Sequence, residues 1–278
     1  MNITELTLLV WLGSLLAGFL GALTGLGGGI VITPLLTIVF GFDIRYAMGA
    51  ALVSVIATSS GAAAAYVKEG FTNIRIGMFL ELATTIGAIM GASLATRLPT
   101  STISIIFGLV LLFSAYASSR SQHTTGVADG PDRLAGFFKL DSTYPTAQGM
   151  EKYHVRGVPL GFSLMFVAGT LSGLLGIGSG ALKVIAMDQA MQIPFKVSTT
   201  TSNFMIGVTA AASAGVYLQR GYIDPGLTMP VMIGVLMGSL IGARILPKAG
   251  TASLRMVFGI VVLILAIEMI YHGITGRL

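Results

Sequence analysis

Apolar residues run through this chain in long blocks separated by short polar, glycine- and proline-marked breaks, and the blocks fall into two matching sets of five. A block of about 20 residues spans the ~30 Å hydrocarbon core of a bilayer as an α-helix. The pattern therefore predicts helices over residues 6–23, 28–41, 46–67, 73–96 and 102–119, and again over 157–174, 179–192, 197–218, 226–246 and 253–273. Turn signals such as Gly41-Phe42-Asp43, Leu98-Pro99 and Asp224-Pro225 lie between them. The second block of each set is too short for an ordinary span. It is expected either to cross where the membrane is thinnest or to stop partway as one arm of a re-entrant hairpin.

The two sets are copies displaced by 151 residues: Gly25-Leu26-Gly27-Gly28-Gly29 returns as Gly176-Ile177-Gly178-Ser179-Gly180, Tyr66 as Tyr217, Gly70-Phe71 as Gly221-Tyr222, and Phe107-Gly108 as Phe258-Gly259. Residues 1–119 form the first repeat, 157–278 the second, and 120–156 a polar linker with a short interfacial helix around Leu134 to Leu140. If all five elements of each repeat cross, the repeats are inverted. One side then holds Lys68, Arg75, Arg120, Arg133, Lys139, Lys152, Arg156, Lys196, Arg244, Lys248 and Arg255, against Arg45, Arg97, Arg220 and Arg277 on the other. That bias puts the linker in the cytoplasm and both termini outside. The expected fold is an all-α integral membrane protein with two inverted repeats, each carrying a glycine-broken short helix.

Composition agrees. Hydrophobic residues make up 54% of the chain, charged residues 10%, and mean hydropathy is +0.87, where a soluble domain carries about 25% charged residues. With no cysteine, disulfides and thiolate metal sites are excluded. The net charge of +5 is scattered between apolar blocks, which argues against a nucleic-acid partner. Met1-Asn2-Ile3-Thr4-Glu5 has no basic region ahead of the first block, which reads as a transmembrane helix rather than a cleavable leader.

The candidate chemistry lies at the glycine clusters. Gly87 and Gly91, and Gly234, Gly238 and Gly242, have the one-turn spacing of close helix packing. The knots at 25–29 and 176–180 are denser and should unwind, since each glycine weakens a helix by ~1 kcal/mol relative to alanine. An unwound stretch followed by a helix offers free N–H groups and a positive dipole end to an anion. Two such helix starts facing each other across a pseudo-twofold axis would converge on one site. A nucleotide loop needs a preceding strand, and a serine hydrolase needs Gly-x-Ser-x-Gly and a histidine base; neither is present at the knots.

Among the few intramembrane charges, Lys183 could neutralise a bound anion or snorkel to the interface. Asp188 lies about 140° round the same helix, not an obvious partner. Glu81 is a candidate proton carrier or a carboxylate bonded to a neighbouring helix, and Asp188 a second proton-coupling candidate or a marker of the element's cytoplasmic end. Glu268 and His272 form an interfacial pair. Ser198 to Asn203 open the third element of the second copy as helix caps or as anion donors.

The glycine knot after the first helix of each half, Pro34 soon after the first knot, Pro194-Phe195-Lys196-Val197 leading into Thr201-Ser202-Asn203, and Gly70 and Gly221 resemble the sulfite exporter TauE/SafE family, also called the 4-toluene sulfonate uptake permease family. Ser179 stands where that family usually has glycine, and Ala50-Ala51 where a Thr-Ser pair is common. The resemblance implies an inner-membrane secondary transporter, an exporter, of sulfite or organosulfonates, with no cofactor or metal and no enzymatic activity. From the residues themselves, the expected substrate site of such a carrier comprises Gly27, Gly28, Gly29, Gly178, Ser179, Gly180, Lys183, Thr201, Ser202 and Asn203. A homo-oligomer is compatible with the sequence. The alternatives are a polytopic enzyme acting on a lipid-linked substrate, for which Glu81, Lys183 and Asp188 form no motif, and an anion channel.

Overall fold

The computed structural model describes residues 2–24, 29–68, 70–119, 132–146, 149–245 and 251–276. Gly27 and Gly28 of the first knot lie outside them. The first repeat comprises α1 (Ile3–Thr24), α2 (Gly29–Pro34) continuing into a π-helical segment (Leu35–Val39), α3 (Ile44–Lys68), α4 (Ile74–Ala95) and α5 (Thr100–Ser119). After the linker come α7 (Val158–Leu175), α8 (Gly180–Ile185) with its π-helical continuation (Ala186–Ala190), α9 (Phe195–Gln219), α10 (Pro225–Ile245) and α11 (Thr251–Thr275). The starts of α2, α3 and α5 recur 151 residues later in α8, α9 and α11, and the five elements expected per copy are all present.

The short second element is α-helical for six residues and π-helical for five in each copy. At 1.5 Å per α-helical residue it rises about 16 Å, half of a ~30 Å hydrocarbon core. Proline is not the cause of the π segment, because Pro34 precedes the first and Ile185 the second. Both segments close with the same long-reach bond, Phe42 N–H to the Leu36 carbonyl at 3.1 Å and Ile193 N–H to the Met187 carbonyl at 3.0 Å.

The repeats interlock. α1 packs on α10 and α7 on α4, each through small residues that let backbones touch. A Cβ on Gly91 would strike the Thr170 carbonyl and one on Gly173 the Ala88 carbonyl; Gly238 meets the Leu15 carbonyl and Gly18 that of Val235. The packing role expected of Gly87, Gly91, Gly234 and Gly238 is thus what the structure gives them. Along α10, Gly234 faces Trp11 and Leu15 while Gly238 faces Leu15 and Phe19, so α1 and α10 run parallel. The repeat mates α5 and α11 run antiparallel, since Gly108 meets Ala266 and Ile270 whereas Gly273 meets Ser101 and Ile105. Two mated contacts sit at the ends of the third helices: the Arg45 guanidinium is 5.8 Å from the Tyr222 ring centroid, and Lys196 Nζ is 3.7 Å from that of Phe71.

Four helices, at Thr4–Gly21, Ile74–Ala95, Val158–Leu175 and Pro225–Gly242, are long and apolar enough to cross a membrane, and shorter apolar helices accompany them. Leu8, Leu12 and Leu16 on α1, Met78, Leu82 and Ile86 on α4, and Leu263, Ile264 and Ile267 on α11 point outward. Such a belt suits hydrocarbon, not water.

The linker is more structured than a lone interfacial helix. After α6 (Arg133–Phe137), capped by the Asp132 carboxylate on the Leu134 amide, an antiparallel hairpin forms from β1 (Ser142–Thr146) and β2 (Gly149–Tyr153). Its buried residues Ala135, Leu140, Tyr153 and Val155 join one core with Ile76 and Leu80 of α4, Met187, Met191 and Ile193 behind α8, and Val197 of α9. Asn73 ties it down, donating from Nδ2 to the Tyr153 hydroxyl at 2.6 Å and to the Leu140 carbonyl at 3.2 Å. Burial pushes the Tyr153 phenol up to about 12, so it stays a neutral hydroxyl there. Asp141 binds the Val155 amide and His154 at the hairpin's exit.

Candidate functional site

The described knot is unwound. α7 ends at Leu175, Gly176 turns left-handed (φ 68°) with its amide on the Ser172 carbonyl at 2.8 Å, and Gly178 (φ 71°) and Ser179 (φ 45°) are left-handed too before α8 begins at Gly180. Ser179 is the one residue of this turn held there against its Cβ. The Tyr217 hydroxyl donates to the Gly173 carbonyl at 3.1 Å, covering an orphan acceptor at the end of α7. Lys183 N–H makes an early α8 bond, to the Ser179 carbonyl at 3.1 Å, so the amides ahead of it lie before the first turn.

The two copies meet at this point. A Cβ on Gly29, the last residue of the first knot, would lie 3.5 Å from the Gly176 carbonyl and 2.7 Å from Val55. One on Gly178 would lie 3.0 Å from Ile206 and 3.1 Å from Val55. Val55 and Ile206 are themselves repeat mates, so Gly29 of the first knot and Gly178 of the second both pack at the crossing of α3 and α9.

Beside that crossing a buried charge relay joins three elements. Lys183 on α8 is 0% exposed, so it does not snorkel; its Nζ donates to Thr209 Oγ1 of α9 at 2.5 Å. Thr209 donates in turn to Glu81 Oε1 of α4 at 2.6 Å, and Thr85 reaches the same oxygen at 3.2 Å. Glu81 Oε2 is buried without a partner, and so is the Ser179 hydroxyl. Glu81 is thus bonded to a neighbouring helix, α9. Thr209, the bridge, was not singled out by the sequence, although its mate Thr58 repeats the hydroxyl in α3. The mates of Lys183 and Glu81 are Ile32 and Met232, so the relay, built from Glu81 of the first copy with Lys183 and Thr209 of the second, has no symmetric counterpart.

The other candidates are placed less centrally. Asp188 is buried in the π segment and makes no ion pair with Lys183, as the angle round the helix predicts. Its burial argues against a simple end marker. Most hydroxyls of the 198–202 run fold back on the protein: Ser198 to the Ile193 carbonyl, Thr199 to Phe195 and Thr200 to Lys196. Thr201 accepts the Asn73 amide at 3.0 Å and Ser202 donates to the Gly180 carbonyl at 3.2 Å, so both position the site's walls. Asn203 is half-buried on α9. His272 pairs with Glu268 at 3.7 Å, as expected. Among the described residues no group of acidic residues and histidines could hold a metal.

Fold and site together define a polytopic helical membrane protein whose charged, buried centre lies where two repeats meet, the class of the membrane transporters. The chain belongs to the sulfite exporter TauE/SafE family, which it matches over residues 10–269. It is similar to the probable membrane transporter protein YunE of Bacillus subtilis, 28% identical with 96% of this chain and 98% of that one covered. It is also similar to YdhB of the same organism, a probable membrane transporter protein 26% identical with 87% and 90% covered. The probable membrane transporter protein MJ0441 of Methanocaldococcus jannaschii is 24% identical, with 95% of each chain covered. No solved structure matches.

Proposed function

We propose that this chain is a secondary transporter that moves a small sulfur-containing anion, sulfite or an organosulfonate, by alternating access at the junction of its repeats. The observation that carries this is that Gly29, the described end of the first knot, and Gly178 of the second both pack at the Val55–Ile206 crossing, with the buried Lys183 ammonium one turn away. Amides of Gly27 to Gly29 and of Gly178 to Gly180, the partnerless Ser179 hydroxyl and Lys183 hold the anion. Thr201 and Ser202 fix the surrounding backbone, and the Asn203 amide adds a donor from α9. The family's name supports the sulfur anion and export.

Inverted topology is supported by the antiparallel run of α5 and α11, since a twofold axis along the membrane normal would make such mates parallel. Together with the distribution of Lys and Arg it supports a cytoplasmic linker and a location in the cell membrane. The two repeats rock about the α3–α9 crossing to open the site alternately.

Thermal unfolding of the purified protein with sulfite, sulfate, thiosulfate, sulfoacetate, taurine, an aromatic sulfonate, acetate and malonate tests the substrate class. A ligand of the folded state stabilises it by RT ln(1 + [L]/Kd). Stabilisation confined to sulfite or sulfonates is the expected result. A response to carboxylates alone would remove the sulfur anion from the account.

A further inference from the structure

We propose that Glu81 and the transported anion compete for the Lys183 ammonium, and that Glu81 takes a proton from water whenever an anion displaces it. This deepens the function proposed above and rests on it. An ammonium has three N–H donors, and Lys183 spends one on Thr209. It is fully buried, and among the described residues its anionic partner is reached only through the single hydroxyl of Thr209. Glu81 is equally dependent: it is 8% exposed, Oε1 takes the Thr209 and Thr85 hydroxyls, and Oε2 has no partner.

Among the described residues, no charge on the helices packed against α4 pairs with Glu81 in place of Lys183. α7, packed along one side of α4, has no titratable residue between Val158 and Leu175. On α9, packed along the other, Lys196 lies over the Phe71 ring and Tyr217 on the Gly173 carbonyl, near opposite ends of the helix. On α4 itself Arg75 sits at the exposed first turn, bonded to the Lys139 carbonyl, and Asp188, on the π segment behind α8, carries the same sign as Glu81. A carboxylate that loses Lys183 in these surroundings cannot stay charged, because an unpaired buried charge is neutralised by protonation.

The empty carrier therefore holds Glu81 ionised against Lys183 through Thr209, and the loaded carrier holds the anion on Lys183 with Glu81 neutral. The loaded form carries one more proton than the empty one, which is symport. With a dianion the loaded carrier moves one net negative charge, which an inside-negative potential drives outward. Thr209 is a positioning residue: it relays Lys183 to Glu81 while the site is empty and touches the proton donor, not the anion, when it is full.

The test uses the full chain in detergent and weak buffer with a pH indicator. Sulfoacetate, fully ionised at neutral pH, is the probe, so any proton taken up goes to the protein. The wild type is expected to take up about one proton per anion bound, its affinity falling about tenfold per pH unit above the titration of Glu81. Glu81→Gln, an isosteric change, should bind sulfoacetate with no proton uptake and no pH dependence. Thr209→Val should disturb proton uptake and Thr209→Ser restore it. Binding without proton uptake in the wild type, or pH-dependent binding that survives in Glu81→Gln, would overturn the competition and leave the transporter standing. Failure of sulfoacetate and of every other sulfur anion to bind would overturn both.

Discussion

At the residue scale the molecule turns on one buried ion pair bridged by a hydroxyl. Removing one partner of such a pair forces the other to stay charged and unsolvated or to give up its charge, at a cost of up to about 3–5 kcal/mol, whereas removing both is close to neutral. Lys183→Met is thus expected to lower unfolding stability by that amount and the Glu81→Gln/Lys183→Met pair to recover most of it, measured as a double-mutant cycle by thermal or denaturant unfolding. Additive losses would mean that the two groups do not interact. Both charges were legible in the sequence, because an ionisable residue inside an apolar block stands out. Their connection was not. Lys183 and Thr209 are 26 residues apart and Thr209 and Glu81 128, and no spacing rule reaches across helices that only the fold brings together.

At the scale of elements, helix boundaries were readable to within a few residues, since block length and the glycine, proline and aspartate breaks are local signals. Other features were not. The π segments follow different residues in the two copies, and β1, with the sequence Ser-Thr-Tyr-Pro-Thr, shows no alternation that would mark a strand. The hairpin exists because Tyr153, Leu140 and Val155 dock on α4 and α9, a tertiary cause. Glycines of different purpose separate here. Gly173→Ala would drive a Cβ into the Ala88 carbonyl and should cost about 1–3 kcal/mol by overpacking. Gly215, exposed on α9 with nothing within 4 Å of its Cβ position, should gain about 0.5–1 kcal/mol on change to alanine. Unfolding midpoints of the two variants on opposite sides of the wild type are the expected outcome; equal shifts would remove the packing role of Gly173.

For the whole molecule, the duplication was the clearest statement in the sequence, and the structure turns it into reciprocal packing of α1 on α10 and α7 on α4. What the sequence could not show is that the two positions where charge breaks the repeat, Lys183 and Glu81 with Ile32 and Met232 as their mates, are joined through Thr209. The absence of cysteine makes the topology directly testable. Single cysteines replacing Lys152 in the hairpin and Arg97 after α4 should react with an impermeant thiol reagent from opposite faces of the membrane, Lys152→Cys only from the cytoplasm. Labelling of both from the same face would contradict inverted repeats.

The central claim, that a sulfur anion crosses at the junction of the knots beside Lys183, is tested most directly by flux of labelled sulfite and sulfoacetate into liposomes holding the purified protein. The wild type should show saturable flux of one or both. The Glu81→Gln/Lys183→Gln pair, neutral and therefore able to fold, should show at least a tenfold loss, about 1.4 kcal/mol of lost anion stabilisation. Undiminished flux in that variant, or none in the wild type for any sulfur anion, would contradict the account.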